Sequence, residues 1–246
     1  MKVTRILMDM PITIEVVDPD VSEKDIEELF GYFHSVESVF SMFRDTSEIS
    51  KINAGSIKPE QYSADMKTIL QLGEQTKRET NGYFDMKING KVDPTGVVKG
   101  WAIYQVSQKL LQRGFQNHYV DAGGDIQVQG KKTDGTAWRI GIRNPFHRTE
   151  IVKTVALNHE GIATSGTAIR GQHIYNPHKP GAAITDIASM TVIGPNVCEA
   201  DRFATPAFAM GREGITFIEH KKGLEGYMID SAGIATYTSG FNRYVI

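Results

Sequence analysis

An aspartate and a threonine stand four residues apart in "CEADRFATPAFAMG", residues 198 to 211, with Pro206 directly behind the threonine. On a helix, positions i and i+4 share a face, so the Asp201 carboxylate and the Thr205 hydroxyl point the same way. Both are hard oxygen donors, the kind that Mg²⁺ or Ca²⁺ accepts and a thiophilic metal does not favour. Pro206 lacks an N–H, which frees the carbonyl of Arg202 and biases Thr205 away from helical geometry. The same residues also fit a plain helix start, with Asp201 as N-cap and Thr205 bonding back to the carbonyl of residue 201.

Three other stretches hold chemistry-bearing residues. "DPTGVVKGWA", 93 to 102, sets Asp93, Gly96, Lys99 and Gly100 at the mouth of a helix. A glycine turn entering a helix offers N–H groups to an anion, and a lysine one turn in neutralises phosphate. Neither GxxxxGK[ST] nor GxGxxG is present, so this is no Walker or dinucleotide loop. A capped helix start with a surface lysine accounts for the same residues. "VDAGGDIQVQG" either brings backbone close to a ligand at Gly123 and Gly124 or simply turns a hairpin. In "ATSGTAIRGQHIYNPHKPG", 163 to 181, His173 beside turn-rich loops reads as a general base on a hydroxyl or as a hydrogen-bonded structural histidine.

These residues need elements to position them. Ser22 opens an amphipathic helix, with Asp25 completing a capping box and Ile26, Leu29, Phe30, Phe33, Val36, Phe40 and Phe43 at helical spacing. "RDTSEISKINAG" reads as a polar, turn-rich loop. A second helix covers "ADMKTILQLGEQTKRET" and stops at Asn81-Gly82, and a third runs from Val97 to Gly114. "ITIEV" near the start alternates as a strand does. Beyond Gly114, "HYVDAGGDIQVQG" reads as strand, turn, strand, and short strands follow in "WRIGIRNP", "KTVALN", "GIATSG", "IASMTVIG", "EGYMID" and "GIATYTSG". Among them sits a helix from about Asn196 to Met210, continued briefly through "EGITFIEH". Helices lead, strands dominate later and βα alternation is missing, so the class is α+β. With no Pro- or Ser-rich linker, low-complexity tract or repeat, residues 1–246 are expected to form one domain.

Composition narrows the function classes. A formal net charge of -2 gives no electrostatic reason for nucleic acid as the main partner. Cys198 is the sole cysteine, which excludes an intrachain disulfide and a thiolate metal cluster and fits a reducing compartment. The apolar run at the N-terminus is broken by Asp9 and Pro11 and lacks a small-residue cleavage pattern. No stretch approaches the roughly 18 apolar residues of a membrane span. The expectation is a cytoplasmic protein with no transmembrane segment, exported only if a leader has been trimmed.

Taken in order, "MDMPITIEV", "FSMFRDTSEISKINAG", "GYFD", "VDPTGVVKGWA", "YVDAGGDIQVQG", "ATSG", "HIYNP" and "CEADRFATPAFAMG" span nearly the whole chain. Each run is weak alone; the ordered set resembles the ApbE family, the FAD:protein FMN transferases. That resemblance implies an α+β, ApbE-like (T-fold-like) single compact domain, with N-terminal helices followed by mainly antiparallel strands. It implies FAD as substrate, Mg²⁺ as cofactor, transfer of FMN to a threonine of an acceptor protein carrying a flavinylation motif, and release of AMP. Position by position, it implies a metal held by Asp201, Thr205 and the backbone carbonyl near Gly96. Flavin contacts would come from Met8, Phe43, Asn53, Tyr83, Phe84, Asp85, Asp93, Lys99 and Ile174. His173 would deprotonate the acceptor threonine, and Asp201 would be catalytic through the Mg²⁺ it holds.

The chain departs from the family pattern in places. It reads Met8-Asp9-Met10 where Met-Gly-Thr is usual, Tyr104 at a usual Asp, and Asn176 for the Asp before Pro177. "HKPG" replaces an Arg-Thr-Gly-like end, and only seven residues separate Asp85 from Asp93, where relatives carry a longer insertion. Two alternatives stay open on sequence: an FAD pyrophosphatase giving FMN and AMP, and a non-catalytic flavin-binding module.

Overall fold

The structure is a computed structural model and describes residues 1–147, 149–167 and 174–246. The chain opens with strands, not helices. β1 (Lys2–Leu7) and β2 (Met10–Val16) form an antiparallel hairpin through Met8 and Asp9, both at positive φ (53° and 58°). A two-residue turn of this kind demands φ > 0 at both positions, which Asn-Gly supplies most cheaply. Met8-Asp9 adopts it against local preference.

Helix α1 (Glu23–Phe40) begins as its sequence specifies. Ser22 Oγ accepts from the Asp25 N–H at 3.2 Å, and the Ser22 N–H donates to Asp25 Oδ2 at 3.1 Å. Its buried face is Ile26, Leu29, Phe30, Phe33, Val36 and Phe40. The helix ends there, and Phe43, expected on the same stripe, stands 89% exposed in the following turn. The "polar loop" after it contains a short helix, α2 (Glu48–Asn53), capped by Ser47. Its six residues are too few for periodicity to register. α3 (Ala64–Glu79) stops where expected, at Asn81 and Gly82 in the left-handed region. A small hairpin, β3 (Lys87–Ile88) with β4 (Lys91–Val92), leads into α4 (Thr95–Gln112).

The remaining elements are β5 (His118–Ala122), β6 (Asp125–Gln129), β7 (Trp138–Arg143), β8 (Ile151–Leu157), β9 (Gly161–Gly166), β10 (Ile187–Gly194), α5 (Val197–Ala209), α6 (Glu213–Glu219), β11 (Glu225–Asp230) and β12 (Ala235–Tyr237). Eight strands form one antiparallel sheet in the order β1-β2-β5-β6-β9-β10-β11-β12. The α+β expectation holds, with the correction that the N-terminal hairpin is part of the same sheet. Among the described residues no helix is long and apolar enough to cross a membrane.

Strand alternation sorts the side chains onto two faces. Ile126, Val128, Ile162, Ile193, Tyr227 and Ile229 pack under the separate β7–β8 hairpin, against Trp138, Ile140, Val155 and Leu157. The opposite face carries the helices: α1 to α4 cover β2 and β5, while α5 and α6 cover β10. By the same two-residue period, Asp125, Gln127, Ala163 and Ser165 turn toward the helices. A polar residue there is buried, and burial demands a partner.

Candidate active site

The helix-facing Asp125 finds one partner on β9 and another near the start of α4. Its Oδ1 accepts from the Thr164 N–H at 3.0 Å, and Lys99 Nζ stands 2.5 Å from its Oδ2. That second contact is a charge contact without aligned hydrogen-bond geometry. On the other side lies Asp201, buried, with Oδ2 accepting from the Gly100 N–H at 2.8 Å. Burial drives the Asp201 carboxyl well above the usual carboxylate range; Lys99 pulls it down and the nearby Asp125 pushes it up again. Two carboxylates thus share one lysine in a poorly solvated spot.

Glycine makes this meeting possible. A Cβ on Gly100 would sit 2.6 Å from Asp201 Cβ and 2.8 Å from the Val197 carbonyl oxygen, so a side chain there would hold α4 and α5 apart. In an α-helix the Gly100 N–H is the partner of the Gly96 carbonyl. Its donation to Asp201 leaves that carbonyl at most a shared partner. Gly96 in turn lies under the Phe84 ring, where a Cβ would come within 2.8 Å of Cε2.

Asp201 does not start its helix. Asn196 is the N-cap of α5, its side chain accepting from the Glu199 N–H at 2.9 Å. Asp201 is the fifth helical residue, which removes the capping explanation. Thr205 lies one turn on and pairs with Ser165 across to β9, the hydroxyl oxygens 3.1 Å apart, instead of bonding back along the helix. α5 continues through Pro206 to Ala209. Gly96, Asp201 and Thr205 therefore offer a carbonyl, a carboxylate and a hydroxyl near a second carboxylate, Asp125. Among the described residues no three His, Cys, Asp or Glu side chains gather as a metal cage. The donor set is nonetheless all hard oxygen, and it sets a buried pair of carboxylates against one lysine. Both properties fit Mg²⁺.

A second group of predicted residues forms the wall next to this centre. Asn53, on α2, is fully engaged with backbone: its Nδ2 donates to the Val92 carbonyl at 2.9 Å and its Oδ1 accepts from the Val92 N–H at 2.8 Å. It clamps β4 and thereby the residue after it, Asp93. The Asp93 N–H donates to the Met86 carbonyl at 2.7 Å, and its Oδ1 accepts from the Thr95 N–H at 3.0 Å at the entry to α4. Asp85 is paired with Lys77 at 2.6 Å, which holds its carboxyl below the usual range against the opposing effect of burial. Phe84 is buried beneath the turn, and Tyr83 and Ile174 both pack on the α5–α6 cluster. An open groove of about 570 Å³ lies beside Tyr83, lined also by Asn81, Met210, Phe217 and Lys221; it does not reach Lys99 or Asp201.

Two predicted residues sit apart from these groups. Met8 belongs to the β1–β2 turn, and that turn abuts the β5–β6 turn: the Gly123 N–H donates to the Pro11 carbonyl at 3.1 Å, and Met10 Sδ would lie 3.1 Å from a Cβ on Gly123. Gly123 and Gly124 are thus a hairpin turn, and the residue of their stretch that reaches the buried Lys99–Asp201 centre is the next one, Asp125. Phe43 projects into solvent. His173 lies outside the described residues. Sequence reasoning passed over Asp125 and Ser165, both inside quoted stretches. Alternation gave no signal for Asp125: the residues that share its face, Gln127 and Gln129, are polar, so the strand reads as having a solvent side there.

A model of the ApbE family matches residues 8–92 and 88–228. An FAD:protein FMN transferase of Haemophilus influenzae is 31% identical over 166 residues, covering 62% of this chain and 48% of that protein. The chain thus spans about half the length of the curated relatives it matches. A flavin transferase ApbE from Vibrio cholerae superposes with a TM-score of 0.86 at 21% identity, covering 99% of this chain and 98% of that one. The ApbE protein of Thermotoga maritima gives 0.87 at 19% identity, again with 99% and 98% covered. At such identities the superpositions establish the fold.

Proposed function

The chain belongs to the ApbE family, and from that premise we propose that it is a flavin transferase, moving the FMN half of FAD onto a threonine hydroxyl of an acceptor protein and releasing AMP. The observation that carries the reading is the buried meeting of Lys99, Asp125 and Asp201 at the start of α4, with Thr205 and Gly96 beside it. Such a centre suits a pyrophosphate, whose cleavage needs charge neutralisation and in-line placement of the attacking group.

Asp201, Thr205 and the Gly96 carbonyl hold Mg²⁺ in this reading, and Asp125 restrains Lys99 next to it. When bound, the ion supplies Lewis-acid neutralisation of the phosphate oxygens. Met8, Phe43, Tyr83, Asp85, Asp93, Lys99 and Ile174 face the flavin nucleotide in this reading, Phe84 supports the turn from beneath, and Asn53 acts through its clamp on Val92. The threonine oxygen forms a bond to the FMN phosphorus as the bond from that phosphorus to the AMP oxygen breaks. AMP leaves with the electron pair, and the hydroxyl proton passes to His173, help worth on the order of 10²–10⁴-fold. One domain carries the whole reaction.

Incubation with FAD, in Mg²⁺ or EDTA, with and without a threonine-containing acceptor peptide, tests this. Metal-dependent AMP together with flavinylated peptide is the expected result. AMP with free FMN only would make the protein a pyrophosphatase. Bound FAD without AMP would make it a flavin-binding module.

A further inference from the structure

Tyr83 and Ile174 come from segments far apart in sequence, yet both pack on the cluster around Phe203 and Phe208. Three contacts tie their segments together. The Tyr175 hydroxyl donates to the Asp85 carbonyl at 2.9 Å. His178 Nε2 is 2.9 Å from the Asn81 carbonyl, which makes that nitrogen the donor. The same imidazole lies against the Tyr83 ring, centroids 4.3 Å apart, and passes over Gly82, where a Cβ would stand 3.6 Å from Nε2.

We propose that Tyr175 and His178 are positioning residues that fasten the segment after residue 173 to the 81–85 turn and so fix Ile174 against Tyr83 as one flavin-facing wall. The inference rests on the reading of Tyr83 and Ile174 as flavin contacts. Neither Tyr175 nor His178 touches the nucleotide; each acts through a neighbour it holds. Burial, followed by the charges of Asp85 and Asp93, raises the pKa of the Tyr175 phenol, so it stays a donor across the working range. The arrangement also accounts for "HKPG": the histidine supplies both a donor and a ring that packs at a tilt against Tyr83.

Equilibrium titration of FAD, read by flavin fluorescence, tests the proposal on wild type, Tyr175→Phe, His178→Ala, His178→Gln, Ile174→Ala and Tyr83→Ala. Tyr175→Phe and His178→Ala should each weaken FAD by on the order of three- to tenfold, the effect of losing one hydrogen bond. The visible absorption band of the bound flavin should shift in both, with melting temperatures near wild type. His178→Gln, which keeps an N–H for the Asn81 carbonyl, should recover part of the loss. If Ile174→Ala weakens FAD while Tyr175→Phe and His178→Ala bind it with unchanged affinity and spectrum, the positioning role is wrong and the flavin wall stands. If Ile174→Ala and Tyr83→Ala both bind FAD as wild type does, the flavin reading itself fails and takes the proposal with it.

Discussion

Lys99 is asked to compensate two carboxylates, and its removal should be felt in stability as well as chemistry. Lys99→Met keeps the stem and deletes the charge, leaving Asp125 and Asp201 buried together. Breaking a buried pair costs about 3–5 kcal/mol, and partial exposure of this lysine places the expected loss nearer 2–3 kcal/mol. Denaturant unfolding in EDTA reads it; an unchanged midpoint would mean the carboxylates do not depend on Lys99. Phe43 is the opposite case. At 89% exposure Phe43→Ser should move stability by no more than about 0.5 kcal/mol while weakening FAD severalfold. A drop in melting temperature with intact FAD affinity would return Phe43 to the core. His118 supplies a pH dependence outside the site. Its Nδ1 is 3.2 Å from the Phe115 carbonyl and must donate, so Nε2 accepts from the Ser107 hydroxyl at 2.7 Å. Burial lowers its pKa to about 4, so the folded state resists the proton that the unfolded chain takes up near pH 6.5. The stabilisation is full above pH 6.5 and drains away toward pH 4, about 3 kcal/mol over that window. Comparing unfolding midpoints of wild type and His118→Asn across it isolates this share: the variant should show the flatter profile.

The decisive contact between elements is the crossing of α4 and α5. Gly100→Ala gains about 1 kcal/mol of helix propensity but must push Asp201 and the Val197 carbonyl outward, which costs about 1–3 kcal/mol or more. Net destabilisation, with loss of any metal-dependent activity, is the expected outcome in thermal unfolding and the AMP assay. A stabilised, active variant would show the crossing to be slack. Such a contact is invisible in a linear reading, because Gly100 and Asp201 each look ordinary in their own helix. What could be read was local. The Ser22–Asp25 box, the Asn81-Gly82 stop and the β5–β6 turn all follow from residues within a few positions of one another. α2, too short for a period, and the end of α1 before Phe43 were not legible, because the backbone turns extended at Ser41 although the apolar spacing continues.

For the molecule as a whole, the antiparallel character was written in the strand-turn-strand sequences, whereas the strand order was not. Nothing near residue 10 announces that β2 pairs with β5, or that β9 inserts between β6 and β10. That order brings Asp125 and Ser165 to one face beside α4 and α5, and explains why Asp125 was missed while Asp201, marked by its own helix, was found. It also has a consequence in time. Lys99, Asp125 and Asp201 sit on α4, β6 and α5, and they meet only after the non-local pairing of β6 with β9, and of β9 with β10, lets α5 dock. Pairing across such sequence distances is the slow part of folding. Flavin binding should therefore emerge in the last refolding phase, after the far-ultraviolet signal of the helices has returned. A chain caught earlier keeps these three charges out of one another's reach, so the order of assembly sets the moment at which the chemistry becomes available.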